Sequence, residues 1–311
     1  MSMTRLAGVD IGTLTCRLLI ADLLSKSPLH ELHSDRRILR LGKGVDRAKC
    51  LETAAMDCVI ECLKEWRQVI AGFRVDRSIA VATSAVRDAA NSQTFLERVK
   101  REAGFDVEII TGEEEARRTM LGIRSGLPRE VSQVLALDIG GGSTELIFDR
   151  PGHNPVVRSI DIGVVRLSER VLRHDPPTSE EIQRARDWVR NEAESAVACM
   201  KPPADATFVG TAGTITSLAA MAQQLPAYEP ARIHNYILGI EKIRELEQTL
   251  LGRTQAERVG LPGLEKGREE VIASGAIIIR TIMEMLGQWN ILVSDLGLRE
   301  GVLIDLAARM R

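Results

Sequence analysis

The feature that most constrains this 311-residue chain is an internal repeat. Leu6-Ala7-Gly8-Val9-Asp10-Ile11-Gly12, followed by Arg17-Leu18-Leu19-Ile20, recurs as Val134-Leu135-Ala136-Leu137-Asp138-Ile139-Gly140, followed by Glu145-Leu146-Ile147-Phe148. The copies are offset by 128 positions without a gap, so Asp10 falls on Asp138, Gly12 on Gly140 and Leu18 on Leu146. Each copy is an apolar strand ending in Asp, a tight glycine turn and a second apolar strand. That pattern is a β-hairpin, not the strand-to-helix turn of a Walker or Rossmann loop. The duplication predicts two similar halves, each opened by such a hairpin, facing each other across a cleft.

Around the hairpins, helical and strand patterns alternate. In the first half, residues 51–72 have helical periodicity, 78–82 read as a short buried strand and 91–103 as an amphipathic helix; a strand at 107–110 precedes a helix from about Glu113. In the second half, 179–200 form a long helix and 207–210 a strand, with further helices from near Thr214 and over 241–250 and 269–286. A last strand at 291–295 precedes a C-terminal helix. The alternation gives an α/β class. Residues 125–130 and the proline-rich 174–177 read as linkers. The expected domains are 1–125, completed by the C-terminal helix at about 299–311, and 126–298.

Composition excludes some functions. Aromatic residues make up only 3%, too few to build stacking platforms for nucleic-acid bases. With a net charge of −2 there is no global positive field, so any anion must be held by local groups. The five cysteines lack metal-binding spacing, and an odd number of thiols suits a reducing compartment. Cys58 and Cys62, four apart on a helical pattern, read as small buried apolar residues. His30, His33, His153, His174 and His234 show no metal spacing either. No signal peptide is evident, and the apolar stretch 273–286 is too short to span a bilayer and is broken by Arg280 and Glu284. The expected location is cytoplasmic.

The glycine turns are the first candidates for chemistry. A phosphate needs several convergent N–H donors, and glycine lets the backbone approach without a Cβ in the way. Gly140-Gly141-Gly142-Ser143-Thr144 offers three glycines and two hydroxyls, and an Asp at the strand end can hold a hydrated Mg²⁺ beside phosphates. A glycine-rich structural turn explains one copy equally well; two copies in register, each led by Asp, favour phosphate. Gly210-Thr211-Ala212-Gly213-Thr214 lies between a strand and a helix, where exposed N–H groups suit an anion but a plain structural turn is commoner. Thr111 and Glu114 fit a capping box, and the helix dipole accounts for Glu113. Neither requires Glu115, for which a solvated position is the ordinary reading. Arg36, Arg37, Arg40 and Lys43 form the densest basic run, either lining an anion path or forming a solvated loop.

At these residues the chain resembles the exopolyphosphatase/guanosine pentaphosphate phosphatase family, whose members have the actin–sugar kinase–Hsp70 fold of two RNase H-like domains. The matching stretches are residues 8–12, TSAVRDA at 83–89, TGEEEAR at 111–117, LDIGGGSTEL at 137–146 and GVVRLSE at 163–169. They continue with GTAGTI at 210–215, LPGLEKGR at 261–268 and SDLGLREGVL at 294–303, in family order over nearly the whole chain. The resemblance implies that Glu115 is the base activating the attacking water. It also implies that Asp138 and Glu145 position metal and water, with Asp10 reaching the metal through water, and that Arg87 grips phosphate. The phosphate-binding set it completes is Gly12, Thr13, Thr15, Arg87, Gly140, Gly141, Gly142, Ser143, Thr144, Gly210, Thr211, Gly213 and Thr214.

Two departures stand out. The family usually has Ser-Asn-Ser after the first Asp-x-Gly, whereas this chain has Thr13-Leu14-Thr15. The sequence also resembles a short form, without the C-terminal helical domain of longer members. The reading that follows is a Mg²⁺-dependent phosphohydrolase acting on polyphosphate, on guanosine penta- or tetraphosphate, or on both. It implies neither nucleic-acid nor membrane partners and leaves a homodimer open. A non-catalytic polyphosphate or alarmone sensor and a small-molecule kinase of the same fold group remain the alternatives.

Overall fold

The computed structural model describes residues 4–23 and 29–310. The chain begins with β1 (Thr4–Ile11), β2 (Thr15–Leu23), β3 (His30–Ile38), α1 (Val45–Ala48), α2 (Thr53–Gly72), β4 (Arg77–Ala82), α3 (Ser84–Arg87), α4 (Ser92–Ala103), β5 (Val107–Ile109) and α5 (Gly112–Gly126). There follow β6 (Val134–Ile139), β7 (Thr144–Asp149), β8 (Val156–Ile160), α6 (Val164–Arg170), α7 (Ser179–Cys199), β9 (Thr207–Thr211) and α8 (Ala212–Ala222). The remainder is α9 (Pro230–Ile233), β10 (Ile237–Gly239), α10 (Ile240–Leu251), α11 (Gln255–Arg258), α12 (Ile272–Leu286), β11 (Asn290–Val293) and α13 (Leu298–Arg309). The described residues of Met1–Ser125 and Gly297–Arg311 make one compact unit, and Gly126–Leu296 a second.

In the first unit the sheet order is β3-β2-β1-β4-β5. The first three strands are antiparallel neighbours, and β4 and β5 add in parallel. In the second unit the order is β10-β11-β9-β6-β7-β8. There β6, β7 and β8 are antiparallel, β9 and β11 are parallel to β6, and β10 is an added antiparallel edge. The sequence repeat is therefore a repeat of topology: β6 to β9 take the places of β1 to β4. Each sheet has the strand order of an RNase H-like domain, and the class is α/β.

Strand alternation decides how the first sheet is covered. Ala7, Val9 and Ile11 point to one face, packed with Val59, Leu63 and Trp66 of α2 and Phe95 and Val99 of α4. Leu6, with Leu19 and Ala21, points to the other face and meets Leu303 and Ala307 of α13. The C-terminal helix thus belongs to the first unit because the β1 side chains facing it are apolar and would otherwise be wet, at roughly 1.5–3 kcal/mol for each large side chain. In the second unit α12, buried along most of its length, packs on α7 and α10. Among the described residues no helix is long and apolar enough to cross a membrane.

Three strands carried no signal in the sequence. β3, β8 and β10 lie at or next to sheet edges, and HELHSDRRI and VVRSI lack the buried alternation of a covered strand. Residues 174–177, expected as a linker, are instead held inside the second unit. The Glu181 carboxylate of α7 accepts from the backbone N–H groups of Arg173, His174 and Thr178 and bonds the His174 ring at 2.8 Å. Of the cysteine pair expected to be buried, Cys62 is buried and Cys58 is exposed. Burial pushes the Cys62 thiol up to about 12.

Candidate active site

Parallel strands leave their carboxyl ends on one edge of a sheet, where the following loops converge. In the first unit those ends carry three of the expected groups. The end of β1 turns through Gly12 into β2, closed by Gly12 N–H donating to the Thr15 carbonyl at 3.0 Å. β4 leads into α3, which ends in Arg87, and β5 leads into α5, whose first turn carries Glu115. Arg87 Nη1 donates to the Ile110 carbonyl at 2.8 Å and lies 3.5 Å from Glu115 Oε2. The Glu115 side chain is 11% exposed and that of Arg87 24%. Asp10, Thr13 and Thr15 are buried beside the turn.

The capping expectation is met in part. Glu114 N–H donates to Thr111 Oγ1 at 3.1 Å, as the box requires. The Glu114 carboxylate, however, is taken by Arg117 at 3.0 Å and Arg118 at 2.8 Å, and these two arginines also pair with Asp305 of α13. The arginine neighbours, Arg117 foremost, hold the Glu114 carboxyl below the usual carboxylate range. Its role is to tie α5 to α13, the helix on which Glu115 sits to the helix that closes the sheet.

In the second unit the β6–β7 turn repeats the geometry, with Gly140 N–H donating to the Ser143 carbonyl at 2.9 Å. Among the described residues no acceptor is paired with the N–H groups of Gly141, Gly142 or Ser143. What orients the first two of these groups is α6. Val164 N–H donates to the Gly140 carbonyl at 3.1 Å and Val165 N–H to the Gly141 carbonyl at 2.9 Å. Those carbonyls are drawn into the start of α6, which turns the peptide N–H groups the other way. Gly163 permits the contact, because a Cβ there would lie 2.3 Å from the Gly141 carbonyl carbon and oxygen. Residues 163–165 received no role from the sequence, although GVVRLSE was among the family stretches.

Asp138 lies directly opposite Glu145 on β7 and opposite Thr211 on β9, so the three form one row across the sheet. Both carboxylates are buried, and Glu145 Oε1 accepts from Ser159 Oγ at 2.8 Å. In the first copy the partner opposite Asp10 is Arg17. The two turns therefore share a backbone but differ in charge: a carboxylate and a cation in one, two carboxylates in the other. Among the described residues no group of three His, Cys, Asp or Glu side chains is arranged to hold a metal. The Asp138–Glu145 pair offers hard oxygen donors of the kind Mg²⁺ takes one or two at a time, completing its shell with water and phosphate.

Several expected phosphate ligands have other partners. Thr144 Oγ1 donates to the Ile162 carbonyl at 2.6 Å, and Thr211 Oγ1 to the Leu296 carbonyl at 3.0 Å, so both protons hold loops together. Thr214 is buried against Gly275 of α12. The passage from β9 into α8 is strained, with Ala212, the first residue of α8, at φ 71°, a conformation an L-residue holds only at a cost of about 1–2 kcal/mol. The Arg268 guanidinium, unassigned from sequence, lies within 2.1 Å of where a Cβ on Gly213 would stand, with Nε donating to Glu265 at 2.7 Å.

Comparison with known proteins agrees with this architecture. The Ppx/GppA phosphatase family model matches residues 19–310. Exopolyphosphatase 2 of Mycobacterium tuberculosis is 36% identical, over 99% of this chain and 100% of its own. Among solved structures, the Aquifex aeolicus Ppx/GppA family member has a TM-score of 0.84 at 36% identity, covering 100% of this chain and 99% of that one. An exopolyphosphatase from Cytophaga hutchinsonii has a TM-score of 0.90 at 29% identity, covering 98% of each chain. The chain belongs to the Ppx/GppA phosphatase family.

Proposed function

We propose that this protein is a phosphohydrolase that releases the terminal phosphate of inorganic polyphosphate by attack of water. The observation that carries this reading is the buried Glu115 carboxylate beside Arg87 at the carboxyl ends of β4 and β5. In the proposed reaction Glu115 accepts a proton from water as the water oxygen bonds the terminal phosphorus. The bond from phosphorus to the bridging oxygen breaks, and the shortened chain leaves. Arg87 neutralises the non-bridging oxygens, and its bond to the Ile110 carbonyl keeps the guanidinium in place. Phosphoryl transfer depends mainly on such positioning and neutralisation.

In the second unit, the N–H groups of Gly141, Gly142 and Ser143 suit phosphate oxygens, and α6 fixes the direction of the first two. Asp138 and Glu145 would hold Mg²⁺, which when bound supplies further neutralisation of phosphate charge. Thr144 and Thr211 are left out of the ligand set because their protons are engaged. Polyphosphate is favoured over guanosine pentaphosphate because residues 12–15, 140–144 and 210–214 contain no aromatic side chain on which a purine could stack. The names of the relatives point the same way.

The test is phosphate release from long-chain polyphosphate and from guanosine pentaphosphate, each with Mg²⁺ and with chelator. Mg²⁺-dependent release from polyphosphate is expected. Release from guanosine pentaphosphate alone would reassign the substrate, and release from neither would sink the hydrolase reading.

A further inference from the structure

We propose that residues 39–49 of the first unit, with Arg36, form the surface that binds the distal phosphates of a long polyphosphate chain. This rests on polyphosphate being the substrate. Residues 36–49 contain six cations (Arg36, Arg37, Arg40, Lys43, Arg47 and Lys49) against one acid, Asp46, a local charge of +5 in a chain of net charge −2. Arg37 pairs with Glu65 at 2.6 Å and Asp35 at 3.2 Å, and Lys49 lies 3.9 Å from Asp46, so the excess of positive charge in the segment as a whole, rather than any one cation, is what a polyanion would meet. Lys43 and Arg47 are exposed. Such a concentration of one sign in an otherwise near-neutral chain makes a local field for a polyanion.

The fold places this charge beside the Gly12 turn and α3. Leu39 and Arg40 N–H groups donate to the Leu14 carbonyl at 3.0 and 2.9 Å, and Gly42 N–H donates to the Thr13 carbonyl at 2.8 Å. Gly42 sits so close that a Cβ there would lie 2.3 Å from Thr13 Cγ2 and 3.0 Å from the Cβ of Ala85 in α3. Past α1, Ala90 N–H donates to the Lys49 carbonyl at 2.7 Å. The basic segment therefore runs from the hairpin turn around the helix that ends in Arg87.

Backbone geometry fixes where two of these cations stand. Arg40 and Lys49 hold φ values of 55° and 53°, in the left-handed region. Glycine would sit there without the penalty of about 1–2 kcal/mol that a side chain incurs. Lys49 caps α1, its N–H donating to the Val45 carbonyl at 2.8 Å, so the left-handed turn places a cation at the carboxyl end of that helix.

The test is direct binding of a long polyphosphate chain carrying one terminal fluorophore, followed by anisotropy. The wild type is compared with the triple variant Lys43→Ser, Arg47→Ser, Lys49→Gly and with Arg40→Gly, whose backbone conformation glycine accepts. The triple variant is expected to bind at least about tenfold more weakly. Its dependence of log affinity on log salt should be flatter by about two to three, through the counterion release that governs proteins on nucleic acids. The ratio of kcat/KM on the long chain to that on tripolyphosphate should fall in parallel. Affinity within twofold of wild type in both variants overturns the proposal, as does single-stranded RNA competing equally, phosphate for phosphate. A wild type that binds the chain but releases no phosphate sinks the hydrolase reading and supports the surface.

Discussion

Arg87 donates to the Ile110 carbonyl at 2.8 Å but stands 3.5 Å from Glu115, so the backbone, not the carboxylate, is its principal anchor. The difference matters because hydrogen bonds weaken quickly with distance. A guanidinium locked tightly onto Glu115 would consume the carboxylate and mask its own charge. Anchored at the carbonyl where β5 gives way to α5, Arg87 keeps donors for phosphate while standing beside the Glu115 carboxylate.

Replacing Glu115 by Gln tests the base directly. The amide has nearly the same shape, so melting temperature and KM for polyphosphate should change little. The turnover number should fall by about two to four orders of magnitude, the usual range for removing a general base. A Gln variant within tenfold of wild-type turnover would remove Glu115 from the mechanism.

Gly163→Ala tests whether α6 orients the glycine turn. The added Cβ would lie 2.3–2.4 Å from backbone atoms of Gly141 and Gly142, which no side-chain rotation relieves. The turn or the helix must move, at about 1–3 kcal/mol or more. Thermal melts should show the loss, and KM for polyphosphate should rise beyond what instability explains at a temperature where both proteins are folded. Unchanged melting and unchanged KM would show that the contact with α6 does not set the turn.

Both hairpins were legible in the sequence because β1, β2, β6 and β7 are interior strands with apolar runs, and those of β1 and β6 lead into Asp-Ile-Gly. The edge strands β3, β8 and β10 were not, since a strand covered on fewer sides needs no apolar pattern; β5, also an edge, was legible between two helical stretches. Within the site, residue types indicated which hydroxyls were present but not which carbonyls they would meet. Thr144 and Thr211 look like phosphate ligands in the sequence, yet long-range partners, Ile162 and Leu296, take their protons. The same holds for Gly163, whose reason for being glycine lies 22 residues upstream at Gly141.

Glu181 predicts a pH dependence. Burial works against its charge but is outweighed by the His174 ring and the N–H groups of Thr178, Arg173 and His174, so its pKa falls from an ordinary 4.5 to about 2. A carboxyl whose folded pKa is depressed stabilises fully above the unfolded value and loses that contribution as pH falls through the folded one. Glu181→Gln should therefore melt lower than wild type at pH 7. Between pH 4.5 and about 2 its melting temperature should fall less than the wild type's. Parallel curves over that window would contradict the assignment. Thr178→Ala, which removes the other half of the capping box, should cost about 1 kcal/mol at any pH.

Leu14 stands where family members usually carry asparagine, and its environment decides what restoring the amide would do. The side chain is buried, only 6% exposed, while its carbonyl accepts two N–H groups from Leu39 and Arg40. Leu14 thus packs inside the turn and helps hold the basic segment against it. Leu14→Asn would exchange a buried apolar side chain for an amide in need of partners, a loss of about 2–4 kcal/mol and a lower melting temperature. The Thr13 and Thr15 hydroxyls and the backbone donors do not depend on that side chain, so KM for tripolyphosphate should stay within about threefold. If the amide instead reached phosphate, the variant would keep its melting temperature and gain roughly 0.5–3 kcal/mol in transition-state binding, read as a higher kcat/KM. Melting curves and kinetics on the same two proteins separate the outcomes. Because Leu14 is enclosed while the charge around it lies on exposed Lys43 and Arg47, we expect the loss of stability without the gain in rate.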